Sequence, residues 1–154
     1  MNNKYFLEIS ENLVNIMLEF SSKTTEEVCG ILIGKEKKSK HILITNILPD
    51  KNALNQSPFA ITRNTKILYP EVKDIVEKSS ISNVDFIGDW HSHPNGSLMY
   101  SSIDYYSMNT MLIDPDYYFL KSIVLIIVCP PNEFCSYLFK RDQKKPIKME
   151  ILMS

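Results

Sequence analysis

The sequence carries almost no net charge. Seventeen Lys and Arg against eighteen Asp and Glu leave −1 at pH 7, with an isoelectric point near 6.3. No basic cluster of the kind that marks a nucleic-acid surface is present. The one locally basic run, Lys35-Glu36-Lys37-Lys38-Ser39-Lys40, reads as a solvated hairpin turn. Long apolar runs are also missing. The greasiest segment, residues 120–128, is interrupted by Lys121 and is far too short to cross a bilayer. The N-terminus, Met1-Asn2-Asn3-Lys4, lacks the apolar core of a secretory leader. Cysteine is scarce and odd in number: Cys29, Cys129 and Cys135. Without a leader, that argues for reduced thiols in a cytosolic protein, and all three read as small apolar residues. Internal repeats and linkers are absent, and 154 residues suffice for one domain with a true core.

What is present is a run of alternating elements. Residues 5–9 read as a strand, and Ser10 caps a helix over 11–20 whose Leu13, Ile16, Met17 and Phe20 share a stripe. Strands are predicted over 28–33 and 41–48, with His41 exposed beside the basic turn and not a ligand. A short strand over 59–61 precedes a helix over 69–78, with Pro70 in its first turn. Residues 84–90 form the next strand and 103–112 the next helix. Residues 123–129 and 134–140 form a hairpin, and 147–153 a last strand or edge. The order predicts a single α/β (α+β) domain, a mixed sheet flanked by helices.

Only three histidines occur, and two of them fall in His91-Ser92-His93-Pro94 at the end of a strand. Side chains on a strand repeat every second residue, so both rings face one side with Cα atoms about 6.5 Å apart. At that spacing two imidazoles can reach one ion at about 2.0–2.1 Å. Pro94 has no N–H for the ladder and stops the strand. Ser101 and Asp104 follow, three residues apart on one face of a helix start. Ser-x-x-Asp is also a common capping arrangement, with Ser101 as cap and Asp104 in the first turn. Folded back, Asp104 would complete three of the four corners of a tetrahedral zinc site and leave the fourth for water.

This pattern resembles the signature of the JAMM/MPN-type zinc metalloproteases at every fixed position. That family adds an upstream glutamate, which its prokaryotic members carry in Glu-x-Cys-Gly-x-Leu-x-Gly. Glu27-Val28-Cys29-Gly30-Ile31-Leu32-Ile33-Gly34 matches. Gly88-Asp89-Trp90 and Ser57-Pro58-Phe59-Ala60-Ile61 also resemble the prokaryotic single-domain branch. By residue pattern alone Glu26 competes with Glu27, and the family alignment selects Glu27.

The resemblance implies a single MPN core, cytidine-deaminase-like, over residues 1–154, with one zinc ion per chain held by His91, His93 and Asp104. It implies Glu27 as general base and proton carrier, and Ser101 as hydrogen-bond donor to the oxyanion. It further implies an isopeptidase or peptidase that cleaves after the C-terminal glycine of a ubiquitin-like protein or its conjugates. Activating and conjugating enzymes of the same operon would be partners, in some cases in CBASS-type anti-phage defence. The short stretch 95–100 leaves little room for substrate-gripping insertions, and an extended tail could pair as a strand beside the groove. Three other readings share the sequence. They are trimming of a sulfur-carrier protein, a phage-tail endopeptidase, and a non-catalytic MPN-like interaction module braced by its metal.

Overall fold

Residues 122–129, Ser-Ile-Val-Leu-Ile-Ile-Val-Cys, hold no polar side chain between their ends. A strand that is apolar at every position must be covered on both faces. The computed structural model, which describes residues 4–54, 56 and 65–154, places it accordingly. The chain runs β1 (Phe6–Ile9), α1 (Glu11–Ser22), β2 (Cys29–Lys38), β3 (His41–Pro49), α2 (Thr65–Lys78), β4 (Asp85–Ser92), α3 (Ser102–Ile113) and a 3-10 turn (Pro115–Tyr117). It continues through β5 (Ser122–Cys129), β6 (Glu133–Lys140), β7 (Ile147–Lys148) and β8 (Glu150–Met153). The predicted strand over 59–61, with the motif stretch Ser57–Ile61, lies outside the described residues.

The strands form one mixed sheet in the order β7-β6-β5-β4-β2-β3-β1-β8. β2 is antiparallel to both β3 and β4, while β4 and β5 are parallel. Helix α1 covers one face, where Val14, Met17 and Leu18 join Leu7, Trp90 and Ile126. Helices α2 and α3 cover the other, where Leu68, Val72, Met108 and Leu112 join Phe86, Leu125 and Ile127. The result is a three-layer mixed α/β domain, as expected from the element order. Ser10 caps α1 as predicted, its Oγ accepting from Leu13 N at 3.2 Å.

Three expectations change. The segment 35–38 is not loop: β2 runs on to Lys38, and only Ser39 and Lys40 turn. His41 is buried rather than exposed, because Glu8 on β1 bonds its Nε2 at 2.9 Å and Lys37 joins the same carboxylate. That pair of contacts holds the Glu8 carboxyl below its usual range. Helix α2 starts earlier than predicted, so Pro70 lies inside it.

The predicted C-terminal strand is two short strands with Met149 between them. Met149 N donates to Ser136 O on β6 and Glu150 N donates to Tyr5 O beside β1. One segment therefore bridges both edges of the sheet and closes it. Closure hides strand edges that would otherwise invite pairing with other chains.

The parallel contact of β4 with β5 is unusually close at Gly88, which sits opposite Val124. A Cβ at Gly88 would fall on the Val124 carbonyl oxygen. Gly88→Ala is expected to lower stability by at least about 1–3 kcal/mol, the usual scale for overpacking. Denaturant unfolding of the two proteins measures it, and an unchanged midpoint would contradict the close approach.

Candidate metal centre

Antiparallel pairing of β2 with β4 sets Cys29 opposite His91. Beyond that pair, the backbone of Val28 and Ser92 exchanges contacts: Ser92 N donates to Val28 O at 2.9 Å, and Val28 N donates to Ser92 Oγ at 2.9 Å. Ser92 faces away from its two histidine neighbours, as alternation requires, and is fully buried. The lock brings Glu27 beside the histidine pair. Glu27 is buried and lies beside the histidines, while half-buried Glu26 is not in the cluster. Gln56 adds a bond to the Glu27 carbonyl at 3.0 Å.

His93 N donates to Val128 O at 2.9 Å, so the backbone stays registered one residue past β4. The chain then loops over residues 94–100 into α3. Ser101 caps that helix and Asp104 closes a capping box. Asp104 N donates to Ser101 Oγ at 3.0 Å, and Ser101 N donates to Asp104 Oδ2 at 2.7 Å. The capping and site readings of Ser-x-x-Asp are thus one arrangement, because the cap aims the carboxylate at the histidines.

The cluster is tight. Asp104 Oδ1 stands 3.0 Å from His91 Nε2 and Oδ2 3.1 Å from His93 Nε2, with the imidazole centroids 5.1 Å apart. Ligand atoms of Glu27, His91 and His93 all lie within 4.8 Å of one another. All four side chains are buried. Histidine and the two carboxylates therefore meet from three elements, with Glu27 and Asp104 flanking the rings.

The donor pattern fits a cation. Ser97 O only accepts, so the 2.8 Å contact from His93 Nδ1 fixes the ring hydrogen there. In neutral His93, Nε2 then turns a lone pair toward the Asp104 carboxylate. His91 Nε2 lies 3.0 Å from Asp104 Oδ1 and is buried with no hydrogen bond of acceptable geometry among the described residues. The His93 lone pair and the Asp104 carboxylate, converging in a buried space, repel unless a proton or metal lies between them. Tetrahedral ligands at zinc distances stand about 3.3–3.4 Å apart, close to the separations found here. Burial of Asp104 opposes its charged form, yet the nearby His91 ring and the bonds from His93 and Ser101 N hold its carboxyl far below the usual range. Burial pushes the Glu27 carboxyl up, against the pull of His91 and His93. His93 is raised despite burial, because Asp104 and Ser97 O favour its protonated form.

Sequence reading missed the groups that hold the loop. Ser97 O also accepts from Cys129 Sγ at 3.3 Å, and Leu98 O accepts from Cys135 Sγ at 2.9 Å and Tyr137 Oη at 3.0 Å. These cysteines are buried and free, as small apolar residues would be, but they also act as donors. Burial pushes the Cys129 thiol up to about 11, so it keeps its hydrogen at neutral pH and is no nucleophile. A signal for Ser92 existed, a hydroxyl between two aligned histidines on a strand. None existed for the cysteines, whose role depends on which loop lies above them.

A groove of about 530 Å³ opens beside Pro94, next to His93, lined by Ser22, Thr24, Thr25, Asn95 and Pro131. It carries hydroxyls and prolines and no charge. β2 and β4 are each paired on both sides.

The fold and this cluster define a JAB/MPN-type domain. A model of prokaryotic homologues of the JAB domain matches residues 11–141, and the chain belongs to that family. No curated protein matches the chain. Its structure is similar to the solution structure of protein DSY2949 from Desulfitobacterium hafniense. The TM-score is 0.68 at 21% identity, over 96% of this chain and 92% of that one. At that identity the likeness extends to the fold alone.

A metal must displace the proton that His93 takes up more readily than an ordinary histidine. Below its raised pKa the proton wins; above it the lone pair is free. Divalent-metal affinity of the metal-free protein is therefore expected to fall by roughly tenfold or more from pH 8 to pH 6. Calorimetric titration with Zn2+ at the two pH values measures this, with proton release on binding. A pH-independent affinity would remove His93 from the site.

Proposed function

We propose that the chain is a zinc-dependent peptidase or isopeptidase that cleaves after the C-terminal glycine of a ubiquitin-like modifier. The observation that supports it most is the buried meeting of His91, His93, Asp104 and Glu27, with His91 Nε2 lacking a hydrogen-bond partner among the described residues. His91, His93 and Asp104 would hold the ion, and membership in the JAB family makes zinc the metal to test first. Zinc there supplies Lewis-acid polarisation of a carbonyl and acidification of water.

Each remaining step belongs to a side chain of this protein. Glu27 takes the proton of the attacking water and returns it to the departing amine. Its burial suits this, because a carboxyl raised above its ordinary 4.5 is the stronger base. Ser101 Oγ already accepts from Asp104 N. Its hydroxyl hydrogen has no acceptor among the described residues, so it can donate to the scissile oxygen as that atom gains negative charge. The groove beside Pro94 has no charged side chain in its lining and suits an uncharged tail. The substrate class, its conjugates and companion conjugating enzymes rest on family resemblance.

Glu27→Gln is expected to reduce turnover of a modifier–target fusion by about 100- to 10,000-fold, the range for losing a general base. It should retain stoichiometric zinc, measured by elemental analysis. Chelation should abolish hydrolysis, and restored Zn2+ should return it. Zinc-loaded protein with unaltered hydrolysis after Glu27→Gln would end this reading. Zinc binding without hydrolysis of any fusion would favour the interaction-module reading instead.

A further inference from the structure

Helix α3 is apolar on both sides. Met108 and Leu112 face the core, while Ile103, Tyr106 and Ile113 are 55%, 73% and 69% exposed. Their spacing, with Thr110 between the last two, runs three, four and three residues, so they form one outward stripe. The only charged residue of the helix, Asp104, is turned inward to the histidines. The other helices behave differently. α1 exposes Glu11, Asn15 and Glu19 around Ile16, and α2 exposes Glu71, Lys73, Asp74, Glu77 and Lys78 beyond Tyr69. The exposed residues of α3 are Ile103, Tyr106 and Ile113 with the hydroxyls of Ser102, Ser107 and Thr110, an uncharged face of the kind that interface cores favour.

Two observations narrow the occupant. The stripe is continuous with the candidate site, since Ile103 adjoins Asp104 and Met99, 58% exposed, lies on the loop that leads to Ser101. Its area is small. A twelve-residue helix is about 18 Å long, and a stripe about 10 Å wide covers roughly 200 Å². A stable dimer buries about 800 Å² per partner. So small a patch suits a transient partner that is anchored a second time nearby.

We propose that the outer stripe of α3 docks the folded body of the substrate protein whose C-terminal tail enters the His91–His93 site. This rests on the peptidase reading above. Binding is divided between stripe and tail. The stripe selects the modifier, and the buried cluster cuts whatever tail it presents.

Tyr106→Glu and Ile113→Lys alter exposed side chains and leave the metal cluster untouched. The probes are ubiquitin with a fluorogenic amide on its C-terminal glycine, and a short peptide of the same tail carrying the same amide. The zinc-loaded full chain is used throughout, with thermal unfolding to confirm that both variants fold. Each variant is expected to lose about tenfold or more in kcat/KM on the ubiquitin amide, through KM, with the peptide rate unchanged. Equal losses on both probes, or none on either, would overturn the docking surface while leaving the peptidase reading intact. Failure of the unsubstituted protein to cleave either probe would remove both readings. A concentration-dependent dimer that the variants dissolve would give the stripe to a second copy of the chain and overturn the proposal.

Discussion

The exchange between Val28 and Ser92 is the contact on which the site depends. Ser92 N reaches Val28 O while Ser92 Oγ accepts from Val28 N. It uses the one residue between the two histidines, whose side chain alternation turns away from them. Glu27 is thereby held on the histidine side by a segment that carries no ligand of its own. A slip of one residue between β2 and β4 would turn Glu27 to the opposite face and expose the histidines. The close approach at Gly88 and the fully buried β5 support β4 from its other side, so the register is fixed from both neighbours.

The cluster is costly in isolation. Two carboxylates and two imidazoles are withdrawn from water at one end of the sheet, and such groups persist only when paired or coordinated. The chain supplies part of the compensation itself: the capping box to Asp104, the Ser97 carbonyl to His93, and the thiols of Cys129 and Cys135 beneath the loop. The compensation remains incomplete at His91 Nε2. That deficit, placed where a cation restores the balance, links packing energetics to chemistry. Holding donors in place before binding is also what makes a site selective and fast.

Helix α3 joins these themes. Its N-terminus organises Asp104 and Ser101, its inner face closes the core with Met108 and Leu112, and its outer face stays apolar in solvent. Large apolar side chains are also exposed elsewhere, Tyr118, Phe119 and Met153 among them. The C-terminal segment bridges both sheet edges, and the outer faces of α1 and α2 are charged. Helix α3 differs from α1 and α2 in exposing no charged side chain.

The sequence by itself determined the alternation of strands and helices, the caps at Ser10 and Ser101, and the grouping of His91, His93, Asp104 and Glu27 as candidates. The elements, the caps and the His91, His93 and Asp104 spacing follow from local periodicity, which short-range sterics enforce, while Glu27 entered through the family resemblance alone. It did not determine that His41 is buried on Glu8, because that contact joins strands thirty-three residues apart. Nor did it determine that the last strand divides to close the sheet, or that two unremarkable cysteines hold the loop beside His93. Which glutamate faces the histidines was likewise decided by pairing across the sheet. Each of these depends on partners distant in sequence, and hydrogen bonds between them exist only once the strands have assembled.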